Sequence, residues 1–166
     1  LPEVVLLIER PDEEEFEKRP AGEILRAYWR LLFHIRVHRE LEQRAADGRL
    51  TDDEVLARLR DLGSTEYAEI RAVLQRDEML LPPRSEAATY VEFAAVFLEL
   101  LYFAPEQLPW NFPALLQPDR IADLLAQDVD HRALYEATRL PGADERTVRD
   151  FDGFGLSDFS GLLEPE

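Results

Sequence analysis

"EAATYVEFAAVFLELLYF", Glu86–Phe103, is the stretch on which the fold turns. It is nearly as long as the roughly 20 apolar residues that cross a bilayer. Thr89, Glu92 and Glu99 interrupt it, and a carboxylate near the bilayer centre costs a few kcal/mol. The stretch therefore predicts a central helix buried in protein, with Ser85 as its N-cap.

A helix that is apolar on most sides needs other helices to cover it. The best partner is residues 21–46, where Ile24, Leu25, Tyr28, Trp29, Leu31, Leu32, Phe33, Ile35, Val37 and Leu41 recur at helical spacing between Pro20 and "ADGRL". Thr51 opens "TDDE", a capping box with Glu54 for a helix to about Asp61. Gly63 ends that helix, and Ser64 is placed to cap another through Arg76. "LLPPR", residues 80–84, breaks the chain, since each proline removes a donor and pushes its predecessor out of helical geometry. Pro118 starts a helix to about Gln127, and Asp130 caps one to about Leu140. "VVLLI", residues 4–8, has no strand partner elsewhere and reads as an extended arm, followed by the acidic linker "RPDEEEFEKRP".

The predicted fold is all-α, an irregular orthogonal or antiparallel bundle of five to six helices. Residues 1–20 form the arm and linker, 21–140 the helical domain with 104–117 wrapped across one side, and 141–166 a flexible acidic, aromatic tail. No repeat of solenoid period is present.

The 166-residue chain has the size of one domain. A net charge of -16 repels phosphate backbones and anionic lipid, so neither a nucleic acid nor a membrane surface is an expected partner. The chain has no cysteine, which excludes disulfides, thiolate metal sites and a cysteine nucleophile. No basic region precedes the first apolar run, so a cytoplasmic location without a secretory leader is the expectation, and the chain reads as part of a longer protein.

Residues 21–46 are the one segment with positive net charge. Four residues advance a helix by about 400°, so Arg26, Arg30, His34, His38 and Glu42 form one ridge. The apolar residues of the first half of this helix are expected on the opposite arc. Glu92 and Glu99, seven apart, share a stripe of the apolar helix, and buried carboxylates need partners. We expect the ridge to face them, with Arg26, Arg30 and His34 as donors to Glu92 and Glu99 in a structural charge network. In the alternative, both glutamates reach solvent at the helix edge.

His34 and His38 can share one metal ion, because H-x-x-x-H projects both imidazoles from one helical face. A third ligand would come from Glu42, one turn on, or from Glu92, Glu99 or His131. The zinc-protease general base is missing, since Ile35 follows His34. "DVDH", Asp128–His131, lacks the glycine and terminal glutamate of a calcium loop and reads as a helix cap. No nucleophile elbow, phosphate loop or di-iron E-x-x-H pair is present. Trp29 and Trp110 read as core and interface anchors.

The functional expectation is a non-enzymatic helical interaction or regulatory module. It has no catalytic residues or cofactor and engages a protein partner or neighbouring domain, with Phe151, Phe154 and Phe159 of the tail as partner-binding residues. The alternative is a metal-binding protein or metal-dependent hydrolase built on His34 and His38 with a carboxylate. A third possibility is self-association through exposed aromatics.

Overall fold

The computed structural model describes residues 17–80 and 85–144. The arm at 4–8, the "LLPPR" break after Leu80 and the tail phenylalanines lie outside the described residues. Within them the protein is an all-α irregular bundle. Its helices are α1 (Ala21–Ala46), α2 (Asp52–Leu62), α3 (Ser64–Arg76), α4 (Glu86–Phe103), α5 (Leu108–Asn111), α6 (Pro118–Leu125) and α7 (His131–Thr138), with a 3₁₀ turn at Pro105–Gln107. No helix among the described residues is long and apolar enough to cross a membrane.

Local chemistry accounts for most of these boundaries. Thr51 accepts from the Glu54 amide while the Glu54 carboxylate takes the Thr51 N–H, so two otherwise orphaned donors are satisfied at the start of α2. Ser85 and Asp130 accept from Ala88 and Ala133 in the same way. One expectation needs correcting: Ser64 lies inside α3 and does not cap it. Gly63 adopts φ +111°, a conformation open to glycine, and both ends α2 and begins α3. A turn that short leaves no room for Ser64 outside the helix.

α4 is the axis of the core. Tyr90, Phe93, Ala94, Ala95, Val96, Phe97, Leu98 and Leu100 are all buried. Val55, Leu59 and Leu62 of α2 and Ile70, Val73 and Leu74 of α3 join them in one apolar cluster. α1 runs antiparallel along α4, since Arg26 meets Phe103, Arg30 meets Glu99 and His38 meets Glu92. Trp29, Phe33, Tyr102, Phe103 and Tyr135 form an aromatic cluster joining α1, α4 and α7. Within it Trp29 and Phe103 meet edge-on at 5.0 Å, Tyr102 and Tyr135 stack at 4.3 Å, and the Trp29 indole donates to the Tyr135 carbonyl at 3.1 Å.

The proline-rich segment after α4 presses Leu108, Phe112 and Leu115 into the core, while Trp110 and Leu116 stand 81% and 85% exposed. Residues 141–144, counted above with the tail, form a turn against α1. Ala143 is buried, and the Asp144 amide donates to the Gly22 carbonyl at 3.1 Å.

Candidate functional site

The polar ridge of α1 does not lie opposite the apolar arc. The residues fully buried at four-residue spacing are Trp29, Phe33, Val37 and Leu41, and Arg30, His34 and His38 each stand one position further on, about 100° round the helix. Leu31, Leu32 and Ile35, which widened the apparent arc, are only half-buried. The ridge therefore flanks the buried stripe and turns toward α4. There Glu92 and Glu99 are buried, at 8% and 2% exposure.

Three of the ridge residues converge on those glutamates. The Arg30 guanidinium donates to Glu99 Oε1, and His34 Nδ1 lies 2.7 Å from Glu99 Oε2. On its other side His34 places Nε2 3.9 Å from Glu92 Oε1. His38 brings Nε2 to 3.0 Å from Glu92 Oε2 and Nδ1 to 3.9 Å from Glu42. The two imidazoles lie 4.9 Å apart between ring centres. Arg26 takes a different position from the one expected. Its guanidinium donates to the Phe103 carbonyl at 2.9 Å and to the Asp144 carbonyl at 3.4 Å, tying α1 to the C-terminal end of α4 and to the 141–144 turn after α7. A helix C-terminus offers carbonyls with no intrahelical donor, and a guanidinium answers them well.

Burial alone raises the Glu99 pKa, but the Arg30 charge and the donors His34 and Arg30 outweigh it, leaving the carboxyl below the ordinary range. Glu99 is therefore ionised and can only accept, so His34 Nδ1 carries a proton. Burial on its own lowers the His38 pKa, yet Glu42 and Glu92 more than reverse this and raise it to about 9. Glu42 is lowered by the same contact with His38. Although His38 Nε2 is within ion-pair distance of Glu92, it is a buried nitrogen without a hydrogen-bond partner, because the oxygen lies off the N–H axis.

His34, His38 and Glu92 can each offer a ligand atom, and these atoms lie within 4.8 Å of one another. Glu42, the carboxylate first matched with the two histidines, sits on the Nδ1 side of His38, away from this convergence. The structure puts His131 elsewhere, with Nδ1 2.7 Å from the Tyr102 hydroxyl, where burial lowers its pKa.

Sequence reasoning missed a second buried cluster. The expectation that "DVDH" caps α7 holds for Asp130 but not for Asp128, which is buried between α2 and α4. Asp128 accepts two hydrogen bonds from Arg58, at 2.8 and 3.0 Å, and one from the Tyr90 hydroxyl at 2.6 Å. Burial and the neighbouring carboxylate push the Tyr90 pKa up, and the hydrogen bond to Asp128 raises that of Arg58. No local pattern announces this cluster: Arg58 and Asp128 are 70 positions apart.

Compared with protein-family models, curated proteins and solved structures, the chain shows no significant match.

Proposed function

We propose that the chain is a non-enzymatic interaction or regulatory module of a larger protein, and that it meets a protein partner through the segment carrying Trp110 and Leu116. The observation behind this is the exposure of those two side chains, at 81% and 85%, on a segment whose Leu108, Phe112 and Leu115 are buried. Large apolar side chains held out from an anchored backbone are what interface hot spots use, because little ordering entropy remains to be lost on binding. Residues 104–120 contain Glu106, Asp119 and Arg120. The fitting partner presents an apolar pocket for these side chains.

Affinity capture with the full chain, compared with Trp110→Ala/Leu116→Ala, tests this. The proposal expects a protein with an apolar pocket retained by the natural chain and lost from the variant at unchanged stability. Equal retention by both removes it. A C-terminal deletion used alongside belongs at 145–166, since Ala143 is part of the core. Light scattering reports self-association as a separate outcome, which would replace the heterologous partner with a second copy.

A second reading, a metal-binding protein, has a specific observation in its favour: the convergence of His34, His38 and Glu92. Ile35 stands where a zinc hydrolase of the H-E-x-x-H kind has its base, so binding is supported more directly than hydrolysis.

A further inference from the structure

We infer that His34 Nε2, His38 Nε2 and a Glu92 carboxylate oxygen form a three-ligand site for one divalent first-row transition metal, zinc or ferrous iron, clipped between α1 and α4. This deepens the metal-binding reading and does not depend on the Trp110 segment.

Four features carry it. Two imidazoles four residues apart project from one face of α1, and the facing helix supplies the carboxylate, so the ligands come from two rigid elements. Two imidazoles and one carboxylate are the donor set of His₂Glu zinc sites and of the facial triad of ferrous iron. Each histidine also has its other ring nitrogen turned to a second carboxylate: His34 Nδ1 to Glu99 at 2.7 Å and His38 Nδ1 to Glu42 at 3.9 Å. A carboxylate hydrogen-bonded behind a ligating imidazole, as Glu99 is behind His34, orients the ring and raises ligand basicity, and Glu42 lies near enough to His38 to act on it by charge. Finally, the ligand side is under-satisfied. His34 Nε2 stands 3.9 Å from Glu92 Oε1, beyond hydrogen-bond distance, and buried His38 Nε2 has no aligned hydrogen-bond partner. A cation placed between these two nitrogens and the Glu92 carboxylate would give all three a partner.

The distances allow it. Bonds of about 2.0–2.1 Å in a tetrahedral shell set ligand atoms roughly 3.3 Å apart. The ligand atoms already lie within 4.8 Å of one another, so binding draws them in by at most about 1.5 Å. His34 and His38 keep 18% and 19% of their side-chain surface exposed, so the cluster lies near the surface while His38 Nε2 itself is buried.

The test is calorimetric titration of the chelator-treated full chain with Zn²⁺ and, anaerobically, with Fe²⁺. One equivalent is expected to bind, at least about 100-fold more weakly in His38→Gln and in Glu92→Gln. Removing a carboxylate behind a ligand weakens binding less, by about 10- to 100-fold in Glu99→Gln. Glu42→Gln, whose carboxylate is more distant and exposed, is expected to lose less than tenfold. Saturable binding that is unchanged in both ligand variants means an ion held elsewhere on the acidic surface and overturns the site, as does the absence of saturable heat. Should a variant unfold, judged by circular dichroism, Co²⁺ added to the natural chain decides. Intense visible bands of a four- or five-coordinate ion support the site, and the weak spectrum of hexa-aqua cobalt overturns it.

Discussion

Asp128 and Glu92 are both buried carboxylates that pair a neighbouring helix with α4, yet their surroundings answer them to different degrees. Asp128 receives a two-pronged guanidinium and a phenol, all at hydrogen-bond distance. Glu92 faces two imidazole nitrogens at 3.0 and 3.9 Å, and the nearer has no aligned bond. A saturated cluster holds helices together and has nothing to offer a ligand. An under-satisfied one, braced from behind by Glu99 and Glu42, keeps a place for a cation. The contrast separates a structural cluster from a site better than burial does, since exposure is nearly the same, 5% for Asp128 and 8% for Glu92.

The largest effect follows from breaking the saturated cluster. Asp128→Ala leaves the Arg58 guanidinium and the buried Tyr90 hydroxyl without their acceptor. Chemical denaturation is expected to show a loss of about 3–5 kcal/mol. A loss below about 1 kcal/mol would mean that Asp128 is not the acceptor described.

The next prediction is one of pH. The folded chain raises the His38 pKa from 6.5 to about 9. The folded state thus holds this proton more tightly than the unfolded state. The stabilisation is fully present below about pH 6.5 and is lost as pH climbs through about 9. A gap of that size corresponds to at most about 3 kcal/mol. The charged or titratable neighbours of His38 are His34, Arg39 and Glu42 on α1 and Glu92 on α4. Denaturation midpoints of the metal-free chain and of His38→Gln, measured across this window, are expected to converge at the alkaline end. Parallel curves would contradict the pairing.

Glu92→Leu sharpens the comparison further. Arg30 is held by Glu99, so this change removes one of the two carboxylates beside His38 and leaves Glu42, and an imidazole can shed its proton. The expected loss is about 1–2 kcal/mol near neutrality, smaller than at Asp128. A loss equal to that of Asp128→Ala would show that the two clusters are equivalent. The smallest effect is at Trp110→Ala, within about 0.5 kcal/mol, since the side chain is exposed. A larger loss would place Trp110 in the fold and not on a docking face.

Much of the fold was legible because its signals are local. The Thr51 box, the Ser85 cap and the prolines at 20 and 118 mark helix ends within a few residues of the chain. The His34/His38 ridge and the Glu92/Glu99 stripe were legible as periodicities, which indicate a shared face but not what that face meets. Arg26 illustrates the limit: its acceptors are main-chain carbonyls of Phe103 and Asp144, and a carbonyl has no sequence signature. Asp128 was read as a cap because its partners are Arg58 on α2 and Tyr90, whose hydroxyl is hidden in an apolar helix. Glu42 was favoured as a ligand because it lies one turn away along the chain, whereas Glu92 reaches the imidazoles only through packing.

The three histidines allow a direct test with an internal control. In long-range proton–nitrogen NMR spectra, one equivalent of Zn²⁺ is expected to move the Nε2 resonances of His34 and His38 together to metal-bound positions and to leave His131, beside Tyr102, where it was. Uniform small shifts of all three rings, or no shift at His34 and His38, would contradict a three-ligand site between α1 and α4.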